Sequence, residues 1–262
     1  MLLKKVKLIW SHLKGKQMKP DTIVEGDAYE LIKQIPDKSV DLIVTDPPYD
    51  IKGIHSRSGI FKHRNLTYAD ELEKSKLGEG VSLKILPELL RVMKKCNIYL
   101  WCNKEQIYDY LDFFTRKHNF NFEMIVWAKS NVPPFTGAHY LKDKEYCLYF
   151  WETGVKLSIS YKTGKTVYIG KVNTKDKKLY KHPTIKPQPI IENLIRNSGG
   201  ENSIVLDPFC GSGTTCAAAK RLGSHYLGFE ISHEYWKIAT DRVNGITADE
   251  RKKIDEGQIK LF

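Results

Sequence analysis

Short apolar runs alternate with stretches in which apolar residues recur every three or four positions, from about residue 22 to residue 243. The first pattern predicts strands buried in a sheet and the second amphipathic helices. Thr22-Ile23-Val24-Glu25-Gly26 reads as a short strand, followed by a helix through about Gln34. A second strand, Ser39–Thr45, ends at Asp46-Pro47-Pro48-Tyr49. Val81–Lys95 carries Leu83, Leu86, Leu90 and Met93 at helical spacing; a strand over Asn97–Cys102, a helix over 104–117 and a strand over Phe122–Ala128 follow. Glu145–Trp151 is an aromatic-rich strand, and Thr166–Gly170 a short β-like run. Beyond Pro187 the pattern predicts a helix to the Gly199-Gly200 pair, a strand at Ser203–Leu206, a helix at Thr214–Leu222, a strand at His225–Phe229 and a helix from about Glu234 to Val243. Such alternation predicts an α/β protein, a mostly parallel sheet with helices on its faces.

Two segments break the pattern. Residues 51–78 are polar, basic and poorly periodic, which predicts a long loop or flap. Residues 245–262 form a charged tail. The length of 262 residues suits one substantial core, here a single domain over 1–262, and no repeat or low-complexity tract divides it.

Composition adds a partner class. The net charge is +11, and residues 153–181 hold eight lysines against one aspartate, a local balance of +7. The first twenty residues hold six lysines and no acid. Basic surfaces attract polyanions, and neutralising phosphates supplies sequence-independent nucleic-acid affinity. No apolar run approaches the roughly 20 residues that span a bilayer. The initial Met-Leu-Leu-Lys-Lys-Val-Lys lacks the core of a secretory signal. A cytoplasmic protein is the expectation. Cys96, Cys102, Cys147, Cys210 and Cys216 are scattered and odd in number, with no CxxC pair, so neither a disulfide framework nor a metal site is expected.

Two constellations carry chemistry. Asp207-Pro-Phe-Cys-Gly-Ser-Gly-Thr-Thr215 lies between a predicted strand and helix. Gly211 and Gly213 let the backbone approach a ligand closely, because no Cβ intervenes. Position 216 is Cys where a dinucleotide fingerprint has its third glycine, and Glu230 lies 19 residues beyond Gly211, placed to accept ribose hydroxyls. Taken alone, this loop suits a nicotinamide or flavin as well as any other nucleoside cofactor.

The second constellation is Thr45-Asp46-Pro47-Pro48-Tyr49-Asp50 after the run Leu42-Ile43-Val44. Two prolines force a rigid extended turn at the sheet's carboxyl edge, where α/β proteins bind ligands. The turn suits an amino group on a planar ring. Asp46 and the Pro47 carbonyl can accept its two N–H bonds while Tyr49 stacks on the ring.

The pairing of Asp46-Pro-Pro-Tyr49 with Asp207–Thr215 resembles the DNA amino-methyltransferases. The catalytic motif precedes the cofactor motif, as in their circularly permuted β group, and His182-Pro-Thr-Ile-Lys-Pro187 is similar to that group's tenth motif. Gly26-Asp27, Pro36–Ile43, Trp127–Asn131 and Glu145-Tyr146 also look like this family, so the resemblance spans about residues 22–243. It implies a Rossmann-like methyltransferase sheet, mostly parallel with one antiparallel strand, and S-adenosylmethionine as methyl donor. Asp207, Phe209, Gly211, Ser212 and Gly213 should line the methionine and ribose region of the cofactor, with Glu230 on the ribose. Asp27 should face the cofactor's adenine, and Thr184 and Lys186 should close the methionine end. Asp46, Pro47, Pro48 and Tyr49 should hold a flipped base, adenine N6 being favoured over cytosine N4 because the motif begins with Asp. Direct transfer needs no cysteine nucleophile and no metal.

Double-stranded DNA is the implied partner, with Arg57, His63 and Arg64 of the flap placed to read base edges and the lysines of 153–181, a small target-recognition insertion, to track phosphates. Dimerisation and a restriction-modification setting are compatible with the β group. Gln258-Ile259-Lys260-Leu261-Phe262 resembles the peptide with which bacterial replication proteins dock on the sliding clamp, Leu261 and Phe262 filling a pocket and Gln258 anchoring the backbone. A catalytically silent nucleic-acid-binding module is the rival of another class, and intact Asp46, Tyr49, Gly211, Gly213 and Glu230 argue against it.

Overall fold

The computed structural model describes residues 18–49, 81–132, 140–180 and 185–258. Among them, eight strands form one sheet in the order β1-β8-β7-β2-β3-β5-β4-β6. The strands are β1 Thr22–Glu25, β2 Leu42–Thr45, β3 Asn97–Cys102, β4 Asn121–Lys129, β5 Lys144–Trp151, β6 Val167–Gly170, β7 Ile204–Asp207 and β8 His225–Glu230. β5 runs antiparallel to both β3 and β4, and every other pairing is parallel. One reversed strand in a parallel sheet is the expected arrangement.

β2, β3 and β7 are buried along their whole length, which is why each reads as a continuous apolar run rather than an alternation. Helices cover both faces. One face packs Ile43, Ile98, Leu100, Leu206 and Leu227 against α1 (Ala28–Leu31), α2 (Leu86–Val92) and α3 (Ile107–Leu111). The other packs Leu42, Val44, Trp101 and Val205 against α5 (Gln188–Ser198), α6 (Thr214–Arg221) and α7 (His233–Val243). Each fully buried aliphatic or aromatic side chain contributes about 1.5–3 kcal/mol.

This arrangement places the site. The helix after β2 covers one face, whereas the helix after β7 covers the other. The adjacent strands β2 and β7 therefore open a crevice between them at their carboxyl ends, the place where open α/β sheets bind ligands.

Several predicted boundaries shift for local reasons. The expected helix over Val81–Lys95 is a 3-10 turn, Leu83–Ile85, leading into α2, whose first turn carries Pro87. The expected helix over 104–117 starts at Ile107 and widens into a π-helical stretch, Asp112–Lys117. Within the basic segment lies an unforeseen helix, α4 (Thr174–Tyr180). The charged tail contains α8 (Ala248–Asp255), started by a capping box in which Thr247 and Glu250 satisfy each other's backbone N–H. No helix among the described residues is long and apolar enough to cross a membrane. The expected flap over 51–78 lies outside the described residues.

Candidate active site

Two buried hydrogen bonds join the segments that the sequence singled out. Thr45 Oγ1 donates to Asp207 Oδ1 at 2.7 Å, and Thr215 Oγ1 donates to the Val44 carbonyl at 3.2 Å. The Pro-Pro turn after β2 and the glycine turn after β7 thus share one crevice. Asp207 also accepts the Phe209 N–H at 3.2 Å. Burial pushes the Asp207 carboxyl up to about 7, against the lowering effect of these donors.

The glycine turn is held by its backbone. Gly211 and Gly213 have φ of 50° and 74°, the left-handed region that glycine enters without a Cβ penalty. A Cβ on Gly213 would sit 2.9 Å from the Ala239 Cβ and 3.0 Å from its Cα, so α7 also requires glycine there. Glu230, at the end of β8, accepts the Gly211 N–H at 2.9 Å and the Ser232 N–H at 2.8 Å. Burial raises its carboxyl, and these amides lower it. Asp27 caps α1 by accepting the Tyr29 N–H at 2.9 Å, and the Tyr29 ring meets Phe209 edge-on at 6.3 Å. Below the turn, Arg242 reaches from α7 to Ser212 and to Thr214 Oγ1 at 2.7 Å, and its guanidinium lies 4.3 Å from the Tyr180 ring of α4.

The Pro-Pro turn is held by side chains. Gln106 Nε2 donates to the Pro48 carbonyl at 3.3 Å. Lys186, whose side chain is 7% exposed, donates to Asp46 Oδ2 and, at 3.1 Å, to the Tyr49 hydroxyl. It also pairs with Glu145 at 3.0 Å and lies 5.2 Å from the Trp101 ring. Burial works against the Lys186 ammonium, but Asp46, Tyr49 and Glu145 outweigh it and hold its pKa well above the lysine range. Asp46 is raised by burial and by Glu145, with Lys186 pulling down. Asp46 Oδ1 is shut off from solvent and has no hydrogen-bond partner among the described residues. A buried acceptor without a donor costs about 1–3 kcal/mol, which a ligand N–H would recover.

Lys186, expected at the methionine end of the cofactor, sets its ammonium on the Asp46 carboxylate, because an ammonium this deep needs anions within reach. Thr184, expected beside it, lies outside the described residues, as do Arg57, His63 and Arg64. Glu145 and Lys129 (2.5 Å apart) received no role from the sequence. Their signal was a pair of opposite charges closing β4 and opening β5 at the carboxyl edge, on strands where Trp127 pairs with Glu145. All five cysteines are buried and unpaired.

The basic segment is not one surface. β6 pairs parallel to β4, so residues before it lie at the amino edge of the sheet and residues after it at the carboxyl edge. At the amino edge the 160–164 turn is pinned by Asn193 and Asn197, which donate to the Thr163 carbonyl at 2.8 and 2.9 Å. Lys156, Lys162 and Lys165 therefore precede β6 on the amino-edge side, and Lys171, Lys175, Lys177 and Lys178 follow it on the crevice side. A strand in the middle of the run separates them.

Residues 40–241 match the DNA methylase family that comprises the N6 and N4 enzymes. The chain belongs to this family. Over 240 residues it is 30% identical to the Type II methyltransferase M2.LlaDCHI of Lactococcus lactis subsp. cremoris, covering 85% of this chain and 88% of that protein. It is 28% identical over 257 residues to the DNA adenine methyltransferase YhdJ of Escherichia coli (strain K12), covering 85% and 82%. Among solved structures, the M1.HpyAVI–SAM complex superposes with a TM-score of 0.61 at 25% identity, covering 84% of this chain and 98% of that one. The cytosine-N4-specific PvuII DNA methyltransferase shares the fold, with a TM-score of 0.62 at 18% identity over 92% of this chain and 94% of that one. This DNA methylase is thus an S-adenosylmethionine-dependent enzyme that transfers a methyl group to an exocyclic amino group of a DNA base.

Proposed function

We propose that this DNA methylase modifies adenine N6 of a base flipped from duplex DNA, with Asp46, Pro47, Pro48 and Tyr49 holding the base. The observation that carries the reading is the unpartnered Asp46 Oδ1 beside Tyr49, an acceptor waiting for an N–H. The adenine-specific relative and the Asp that opens the motif favour adenine over cytosine N4.

The residues of the glycine turn fit the cofactor. S-adenosylmethionine, when bound, supplies an activated methyl on a sulfonium and carries net positive charge beside the carboxylates of Asp207 and Glu230. Gly211, Ser212 and Gly213 would hold its backbone-facing side, Asp207 and Phe209 its methionine and ribose region, Glu230 the ribose and Asp27 the adenine end. Thr184 and Lys186 would close the methionine end.

Flipping a base costs a few kcal/mol, and stacking on Tyr49 returns about 1–3 kcal/mol of it. Asp46 Oδ1 accepts one amino N–H and the Pro47 carbonyl the other. Both bonds favour a pyramidal nitrogen whose lone pair faces the methyl group, so the protein acts by positioning and electrostatics. Gln106, by gripping the Pro48 carbonyl, keeps the turn in place. Asp46→Ala should leave S-adenosylmethionine affinity within about twofold while transfer falls at least about 100-fold. Equal loss of binding and transfer would contradict the assigned roles.

We read the whole chain as one methyltransferase domain with a flap at 51–78 and target recognition in 153–181. The catalytic segment precedes the cofactor segment in sequence while β2 and β7 lie side by side, which supports a circular permutation. Its setting is read as the bacterial cytoplasm, in restriction-modification, as the Type II relatives suggest. The edge strand β6, with Val167 53% and Ile169 79% exposed, supports a homodimer, which sedimentation would check. Docking on a sliding clamp through Gln258, Leu261 and Phe262 rests on the sequence, since Leu261 and Phe262 lie outside the described residues. Clamp retention that survives removal of 258–262 would contradict it.

A further inference from the structure

At the carboxyl edge, four charged side chains from four parts of the chain form a line of alternating sign: Asp46 after β2, Lys186 before α5, Glu145 at the start of β5 and Lys129 at the end of β4. Their side chains are 25%, 7%, 20% and 18% exposed, so solvent screens the line weakly. The Lys186 ammonium touches Oδ2 of Asp46 and not Oδ1, and on its other side it lies 3.0 Å from Glu145. Glu145 in turn lies 2.5 Å from Lys129. Burial works against the Glu145 carboxylate, yet Lys186 and Lys129 hold it at about 2, so it is ionised wherever the enzyme works. The ammonium thus lies between two carboxylates and bonds one oxygen of Asp46.

We propose that Glu145 is a positioning residue for methyl transfer: by sharing the Lys186 ammonium with Asp46, it keeps that ammonium off Asp46 Oδ1 and leaves this oxygen free for the amino group of the target base. Lys129 completes the line by balancing Glu145. The inference rests on Asp46 being the acceptor of the base N–H.

The other groups around Asp46 leave this balance intact. The Cys102 thiol on β3, pushed up to about 12 by burial, the Cys147 thiol on β5 and the Tyr110 hydroxyl on α3 all stay neutral. The Tyr49 hydroxyl, raised by burial and by Asp46, does the same. Asp207 on β7 is tied to Thr45 and the Phe209 amide. On α4, half-buried Lys177 faces the line; burial lowers its ammonium, which makes it a weaker rival for Glu145 than Lys129.

The test is the pH dependence of kcat/KM on duplex DNA for Lys186→Gln, Glu145→Gln and Lys129→Gln in the full chain with saturating S-adenosylmethionine. Lys186→Gln removes the cation beside Asp46 and should move the acid limb to higher pH. Glu145→Gln removes a repelling anion and gives Lys186 wholly to Asp46. It should move the limb to lower pH and cut kcat about tenfold with cofactor affinity unchanged. Lys129→Gln leaves Glu145 leaning on Lys186 and should move the limb up again. Glu145→Asp should restore both limb and rate in part.

A limb that stays put, or moves the same way in all three variants, overturns the proposal, because a merely structural role predicts no alternation. Should Glu145→Gln fail to fold, Lys129→Gln alone decides: an upward shift supports the line and an unmoved limb refutes it. Asp46→Ala separates the two readings. Full activity there removes the acceptor role itself, whereas an inactive Asp46→Ala beside an unshifted Glu145→Gln removes only the role of Glu145.

Discussion

Glu230 and Asp46 stand at the ends of β8 and β2 on one edge of the sheet, and they are held by different means. Glu230 is fixed by the main-chain N–H groups of Gly211 and Ser232, and the glycine turn around it is set by backbone dihedrals. Asp46 is fixed by the long side chain of Lys186, reached across 140 residues of chain, and one of its oxygens has no donor. On the proposed reading, the cofactor half offers the same prebuilt shape to every molecule of S-adenosylmethionine. The base half keeps an unfilled acceptor beside a cation bound to the other carboxylate oxygen. Backbone amides then suit an invariant ligand, and side-chain ions suit an acceptor kept free for a base.

The sharpest way to break this contrast is to strain the backbone half alone. Gly213→Ala puts a Cβ at φ of 74° and against the Ala239 backbone. A left-handed non-glycine residue costs about 1–2 kcal/mol and the clash about 1–3 kcal/mol more. Calorimetry should show cofactor affinity reduced at least about tenfold while DNA binding without cofactor is retained. Loss of DNA binding to the same degree would mean that the halves are not separate. On the other side, Tyr49→Ala removes about 1–3 kcal/mol of stacking. It should weaken capture of a flipped fluorescent base about tenfold, with cofactor affinity unaltered.

A smaller effect should appear in the pH dependence of the two halves. Asp207 has its carboxyl raised to about 7, so between the unfolded value near 4 and about 7 the folded chain keeps a proton that the unfolded chain has lost. Its contribution to stability is present below that window and declines as pH rises through it. The thermal midpoint of the cofactor-free protein should fall across this range, and Asp207→Asn should flatten that part of the slope. Binding of the cationic cofactor should favour the ionised carboxylate, so wild-type affinity should rise through about pH 7 and that of Asp207→Asn should not. An unaltered slope in the variant would assign the titration elsewhere.

The contrast also explains what the sequence made legible. The cofactor half is local: a strand, a turn with two glycines and a helix over residues 204–221, then Glu230 at the end of the next strand. Such a unit reads along the chain, as do the fully buried, mostly apolar β2, β3 and β7. The base half is assembled across the fold. Asp46 was legible from its prolines, but its bond to Lys186 and the line through Glu145 to Lys129 depend on where the antiparallel β5 falls in the sheet. In a sequence, a buried lysine looks like a surface one. Likewise, the eight lysines of 153–181 look like one patch in the sequence, yet β6 divides the seven that are described. The α8 helix carries a local signal of its own: Thr247-Ala-Asp-Glu250 is a capping box inside what looks like a polar tail.

We propose that the crevice between β2 and β7 methylates an amino nitrogen, that of adenine. Purified protein, duplex DNA and methyl-labelled S-adenosylmethionine, followed by mass spectrometry of the nucleosides, test it most directly. Label should appear in N6-methyldeoxyadenosine and be absent with Asp46→Ala. Label on cytosine N4 would overturn the choice of base, and label on carbon 5 of cytosine would contradict the chemistry itself.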